Sequence, residues 1–186
     1  HRDLHSFPTR RSSDLEFRCR PVEQQDLARI CGFPQNEDEL FFLFPRASYP
    51  LTPSQLREAV DQRSDSTVVE RDGEVVAFAN FYRWETGGCC AVDNVVVAPT
   101  ARGSGAGRFL IEHMINLAVA KHRAIEVRAS CFNANVAGLL FYHALGFIPF
   151  ALEERRDARA RRVALIHLRL GRIAGSPSAQ GHFFSG

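Results

Sequence analysis

Lysine is nearly missing from this chain. Across 186 residues Lys121 is the only one, and the other basic side chains are arginines. That usage reflects a high-GC coding bias rather than a basic binding face. The net charge of +2 is too small to draw the chain to nucleic acid or to a membrane surface through a long-range field. Long apolar runs are missing too. Stretches such as residues 95–97 and 137–142 fall far short of the roughly 20 residues a membrane-spanning helix needs. The cysteines are few and odd in number: Cys19, Cys31, Cys89, Cys90 and Cys131. Their spacing matches neither a zinc site nor a disulfide framework, so they read as reduced, packed side chains of a cytoplasmic protein. The histidines, among them His113, His143 and His167, have no metal-ligand spacing, and no metal is expected. Nowhere does Gly-Lys-Ser or Gly-Lys-Thr occur, which excludes a Walker-type nucleotide loop.

What is present fits one domain. Hydrophobic residues make up 45% and charged residues 24% of the chain, an ordinary balance for a globular α/β protein. Residues 1–15 resemble a translated sequencing-adapter fragment. They carry neither an initiator methionine nor the apolar core of a signal peptide, and are expected to be a non-native, disordered leader. Removing them takes the net charge only to +1. Residues 171–186, rich in Gly, Ser and Ala, are expected to be a disordered tail. The domain is therefore placed at residues 16–170.

Within those bounds the pattern runs strands, helix, strand, helix, strands. A short strand is expected over 16–20, and a weak helix over 23–31. An irregular stretch follows over 37–51, bearing Phe41, Phe42, Phe44 and Tyr49. Thr52-Pro53-Ser54-Gln55 opens a helix to about residue 63 with a capping box. Strands over 67–71 and 74–83 meet at Asp72-Gly73, a strong hairpin signal, and Gly87-Gly88 turns the chain into a third strand over 89–98. A helix to about His122, a strand over 125–131, a helix over 135–145 closed by Gly146, and strands over 149–154 and 162–170 complete a mixed sheet.

The third strand leads into Arg102-Gly103-Ser104-Gly105-Ala106-Gly107-Arg108, which opens a helix. Bare glycines admit oxygen atoms to the backbone, and first-turn amides point at an anion. A glycine run also marks plain turns, so the motif alone leaves phosphate binding and a structural turn both open. The dinucleotide fingerprint needs one more residue between its second and third glycines, and a parallel unit around it.

With the hydrophobic strand before it, Val95-Val96-Val97-Ala98-Pro99, this loop resembles the acyl-CoA signature of the GNAT acetyltransferase superfamily, Arg/Gln-x-x-Gly-x-Gly/Ala. A second stretch, Asn135 to Phe147, resembles the family's Asn-x-x-Ala-x-x-x-Tyr-x-x-x-Gly-Phe helix, with Gly138 in place of the usual alanine. The resemblance implies a mostly antiparallel sheet flanked by helices, with the fourth and fifth strands splayed apart. It implies acetyl-CoA as co-substrate, held by Val95, Val96 and Val97, by residues 102–108, and by Asn135 and Tyr142, with Asn135 alternatively holding the splayed strand end. By the same analogy Tyr142 is the general acid, against a reading as a core aromatic. Asp93, which interrupts the third hydrophobic strand, is the base, against a reading as a structural aspartate. Phe41, Phe44, Tyr49, Trp84 and Glu85 are expected to face the acceptor, with an aromatic satellite core as the alternative for the first three.

The function implied is acetyl transfer to a primary amine of a small molecule or peptide by direct attack. A protein N-terminal or lysine acetyltransferase, a non-catalytic acyl-CoA sensor and a nucleotide-binding regulatory domain are the alternatives. A cytoplasmic bacterial enzyme with no nucleic-acid or membrane partner is expected, and dimers are common in the family.

Overall fold

The computed structural model describes residues 16–170. Seven strands form one sheet in the order β1-β2-β3-β4-β5-β7-β6. They are β1 (Arg18–Pro21), β2 (Ser64–Arg71), β3 (Glu74–Trp84), β4 (Cys89–Val97), β5 (Glu126–Phe132), β6 (Phe147–Arg156) and β7 (Arg162–Leu170). The helices are α1 (Leu27–Ile30), α2 (Glu37–Leu43), α3 (Pro53–Asp61), α4 (Ala106–His122) and α5 (Val136–Ala144). Neighbouring strands are antiparallel except β4 and β5, which run parallel. The mixed, mostly antiparallel α/β sheet expected from the sequence is the one observed.

Local chemistry accounts for most element ends. Asp72 and Gly73 both take positive φ, 54° and 78°, as a two-residue hairpin turn of matching twist requires. The α4 helix buries Leu110, Ile111, Met114 and Ala118 at helical spacing against β3 and β4. Lys121 and His122 in its last turn suit the negative end of the helix dipole.

Three expectations need correction. Residues 37–43 form the helix α2 instead of irregular chain: Asn36 caps it, its side chain accepting from the Glu39 amide at 2.9 Å. The weak helix over 23–31 is a single 3-10 turn (Gln24–Asp26) running into the four-residue α1. At α3 only half of the capping box forms. The Thr52 hydroxyl accepts from the Gln55 amide at 3.4 Å, but the Gln55 side chain turns to Thr52 Oγ1 and to the Ser48 and Pro50 carbonyls. The leader and tail placed at residues 1–15 and 171–186 lie outside the described residues.

The sheet opens where β4 meets β5. Their pairing is confined to Cys89, Cys90 and Ala91 against Glu126, Val127 and Arg128. Beyond Ala91 the β4 backbone pairs only with β3, while β5 turns to β7 from Arg128 to Phe132. A wedge-shaped cleft results, walled by residues 92–97 on one side and 129–132 on the other.

Candidate active site

At the mouth of the cleft, β4 ends in a short turn (Pro99–Ala101) and the glycine loop. Gly103 and Gly105 have φ of 74° and 92°, a region that costs any residue with a Cβ. The Gly103 and Gly105 amides make no backbone hydrogen bond among the described residues. The first-turn amides of α4 at Ala106, Gly107 and Arg108 have no intrahelical partner by the geometry of a helix start. Gly107 does a different job. A Cβ there would lie 3.2 Å from the Phe141 ring and 3.3 Å from Val97 Cγ2, so this glycine lets α4 seat against the strand end and α5.

The two arginines of the loop do not point free cations into the cleft. The Arg102 guanidinium grips Glu39 of α2 with both branches, at 2.9 and 3.0 Å, and its Nε donates to the Val97 carbonyl at 3.4 Å. Arg102 holds the Glu39 carboxyl below its ordinary range. Arg108 reaches Glu112 at 3.5 Å and the Ala144 carbonyl at 3.4 Å. The loop therefore presents backbone N–H groups, and its charged side chains tie it to α2, α4 and α5.

Helix α5 brings Tyr142 to the cleft from below. The ring is buried edge-on between Phe141 and Phe147, at centroid distances of 5.3 and 5.5 Å. Its hydroxyl makes no hydrogen bond among the described residues. Burial, with the nearby Cys131 and Asp93 adding to it, pushes its pKa well above the ordinary phenol value. Asn135, expected to contact the cofactor, is used as the N-cap of α5: its Oδ1 accepts from the Gly138 amide at 2.9 Å. This explains the departure at Gly138. A Cβ there would meet Asn135 Nδ2 at 2.6 Å and Cys131 Sγ at 2.9 Å. Burial raises the Cys131 thiol to about 11, which leaves it a protonated packing group.

Asp93 sits at a bulge. Between Asp93 and Val96 strand β4 carries one residue more than β3 opposite it. Asn94 takes a φ of 52° and sends Nδ2 to the Leu43 carbonyl at 2.8 Å. The Asp93 carboxylate pairs with Arg63 at 3.1 Å, and that guanidinium also stacks over Tyr82, 5.7 Å from the ring centre. Although 36% of the side chain stays accessible, burial raises the Asp93 pKa; the Asn94 amide and Arg63 oppose the shift. Asn80, paired across the strands with Asp93, is fully buried with both side-chain polar atoms unpartnered among the described residues. Arg63, Asn80 and Tyr82 were not singled out by sequence reasoning. Asn80 and Tyr82 reach Asp93 from β3 and Arg63 from the turn before β2, and no local motif announces them.

The expected aromatic front divides. Phe41 stacks on Phe132 at 4.5 Å, with Phe42 at 6.4 Å. The three line a cavity of about 290 Å³ closed by Glu37, Asp38 and Arg159. Phe44 instead enters the core, and Tyr49 points outward to the Gln35 carbonyl. Trp84 lies opposite Cys90, where β4 and β5 are still paired, and Glu85 pairs with Arg83 at 2.9 Å. Neither joins the Phe41 cluster.

Residues 28–147 match the model of the Acetyltransferase (GNAT) family, well over half of the chain, and the chain belongs to that family. It is an acyltransferase whose co-substrate is acetyl-CoA. Similar folds are found in the ribosomal-protein-alanine N-acetyltransferase from Brucella melitensis (19% identity, 81% of this chain and 97% of that one, TM-score 0.64) and in a GCN5-related N-acetyltransferase from Kribbella flavida (23%, 82% and 96%, 0.63). A Salmonella typhimurium protein solved with its cofactor acetyl-CoA is a third (21%, 88% and 99%, 0.62). At these identities the likeness speaks for the fold. No curated protein matches the chain. Among the described residues no helix is long and apolar enough to cross a membrane.

Proposed function

We propose that this chain moves the acetyl group of acetyl-CoA to a primary amine of a small molecule or peptide, by direct attack in the cleft between β4 and β5. Residues 16–170 work as one domain in this reading. The observation that carries it is a coincidence in space. The sheet splays past Ala91, and a loop of unpartnered amides with two left-handed glycines stands at the mouth of that splay.

These residues fit a CoA ester. The amides of Gly103, Gly105, Ala106, Gly107 and Arg108 would hold the pyrophosphate, and the unpaired edge of β4 at Val95 to Val97 would hold the extended arm. When bound, acetyl-CoA supplies the activated thioester. The protein supplies proton handling. Asp93, made more basic by burial, accepts a proton from the acceptor nitrogen at its carboxylate. Tyr142, kept protonated by burial, holds a proton at Oη for a departing thiolate. The Phe41, Phe42 and Phe132 cavity receives the apolar body of the acceptor.

Release of free thiol from acetyl-CoA, measured against a panel of amino acids, polyamines and short peptides, tests the reading. Amine-dependent thiol release is the expected result. Tight acetyl-CoA binding without turnover for any amine would instead make the chain an acyl-CoA sensor.

A further inference from the structure

The β5 wall of the cleft carries a hydrogen-bonded array that the roles above do not use. Ser130 and His167 face each other directly across β5 and β7, with Ser130 Oγ 2.9 Å from His167 Nδ1. On the other side of the ring, His167 Nε2 is 3.0 Å from Glu153 Oε2. Glu153 lies on β6, diagonal to His167 across the β6–β7 ladder. A carboxylate can only accept, so Nε2 carries the hydrogen and Nδ1 accepts from the serine hydroxyl. Both ring nitrogens are thereby assigned by their neighbours, as in any array where a carboxylate orients an imidazole toward a hydroxyl.

The array begins in the cleft and ends in solvent. Ser130 lies on the splayed part of β5, two residues past its last pairing with β4, with its side chain on the sheet face opposite that of Cys131. Tyr82, one strand over from the cleft on β3, has its ring beneath Arg63, the partner of Asp93. Glu153 at the far end is 41% exposed on the outermost strand. The other groups around His167 are the Phe150 ring at 6.2 Å, with Arg128 and Arg169 over it, and Arg155, which binds the second Glu153 oxygen at 2.9 Å.

We propose that Ser130, His167 and Glu153 form a proton exit for the acceptor amine, independent of Asp93. This rests on the transfer reading above. An amine enters mostly as an ammonium and loses two protons on becoming an amide; one is matched by the proton gained at the leaving sulfur, and the other must reach solvent. In the exit step an N–H bond breaks as Ser130 Oγ gains the proton. The Ser130 O–H proton moves to His167 Nδ1, the Nε2 proton moves to Glu153 Oε2, and Glu153 releases it to water. No electrons change hands. Ser130 touches the acceptor, and His167 and Glu153 act through it.

Thiol-release kinetics of the full chain with acetyl-CoA and the best primary amine of the panel test this. His167→Gln and Ser130→Ala should each lower kcat by about 100-fold with KM for acetyl-CoA unchanged. The deficit should be largest at low pH and shrink as pH rises and the amine arrives neutral. Ser130→Ala/His167→Gln should be no slower than either single variant, as expected of groups acting as one unit, and imidazole should restore part of the rate of His167→Ala. Single variants with unchanged kcat and pH profile overturn the exit path. So does a uniform loss at every pH, or a double variant whose losses multiply. A parent chain that turns over no amine overturns the transfer reading itself, an outcome distinct from all of these.

Discussion

Asp93 is close enough to Tyr142 to add to its shift, yet burial acts on the two groups to opposite chemical ends. For Tyr142 it preserves the proton; for Asp93 it raises the affinity for one. Tyr142→Phe should therefore keep acetyl-CoA affinity, by calorimetry, while kcat falls, because the hydroxyl is needed only as the sulfur leaves. Asp93→Asn should slow thiol release by roughly 10²-fold. Its deficit should be greatest where Asp93 is ionised and the acceptor still protonated, and should shrink as pH falls below the Asp93 pKa, which a pH–rate profile checks. Removing Asp93 also frees Arg63, so Arg63→Leu is the companion variant. Without that cation the Asp93 pKa rises further, and the acid limb of the profile should shift to higher pH.

At the scale of elements, Gly138 shows how a family pattern bends to one chain. Its hydrogen makes room for the Asn135 cap and for Cys131. Gly138→Ala should cost roughly 1–2 kcal/mol, because displaced capping and crowding outweigh the gain in helix propensity. Adding Asn135→Ala should then cost little more, and denaturant midpoints of the two single variants and the double variant decide it. The same scale shows what could be read in advance. The Asp72-Gly73 hairpin and the left-handed Gly146 after α5 are dictated within a few residues, so the sequence reveals them. The helix α2 escaped notice because seven residues between prolines show no apolar period, although Asn36-Glu37-Asp38-Glu39 held a capping signal. The cleft was legible through two motifs. What surrounds Asp93, and the array from Ser130 to Glu153, were not. Those partners come from different strands and from the turn before β2, and only long-range register and the bulge in β4 set them side by side.

For the whole molecule, the N-terminal strand is clamped to the sheet by Arg20. It binds the buried Asp26 at 2.6 and 2.9 Å and Glu70 at 2.7 Å. Its hydrogen bond to Asp26 is the main reason that carboxyl titrates below its ordinary range. A lowered folded-state pKa stabilises at pH values above the unfolded value of ~4 and is lost as pH falls through the folded value. Asp26→Asn should thus destabilise by roughly 2–3 kcal/mol at pH 7, and the gap to the parent chain should close in acid, as thermal melts across pH can measure. The lone lysine has a consequence of another kind. Lys121 is held on Asp65 at 2.5 Å, at the end of α4 remote from the glycine loop. The helix is 17 residues long, about 25 Å at the usual rise. A catalyst of amine acetylation thus carries a single side-chain amine of its own, a helix length from its glycine loop. In mass spectra of the enzyme incubated with acetyl-CoA, stray acylation of lysine can fall at only one position. The protein is in this respect a clean background for finding its acceptor in a mixture of candidate amines.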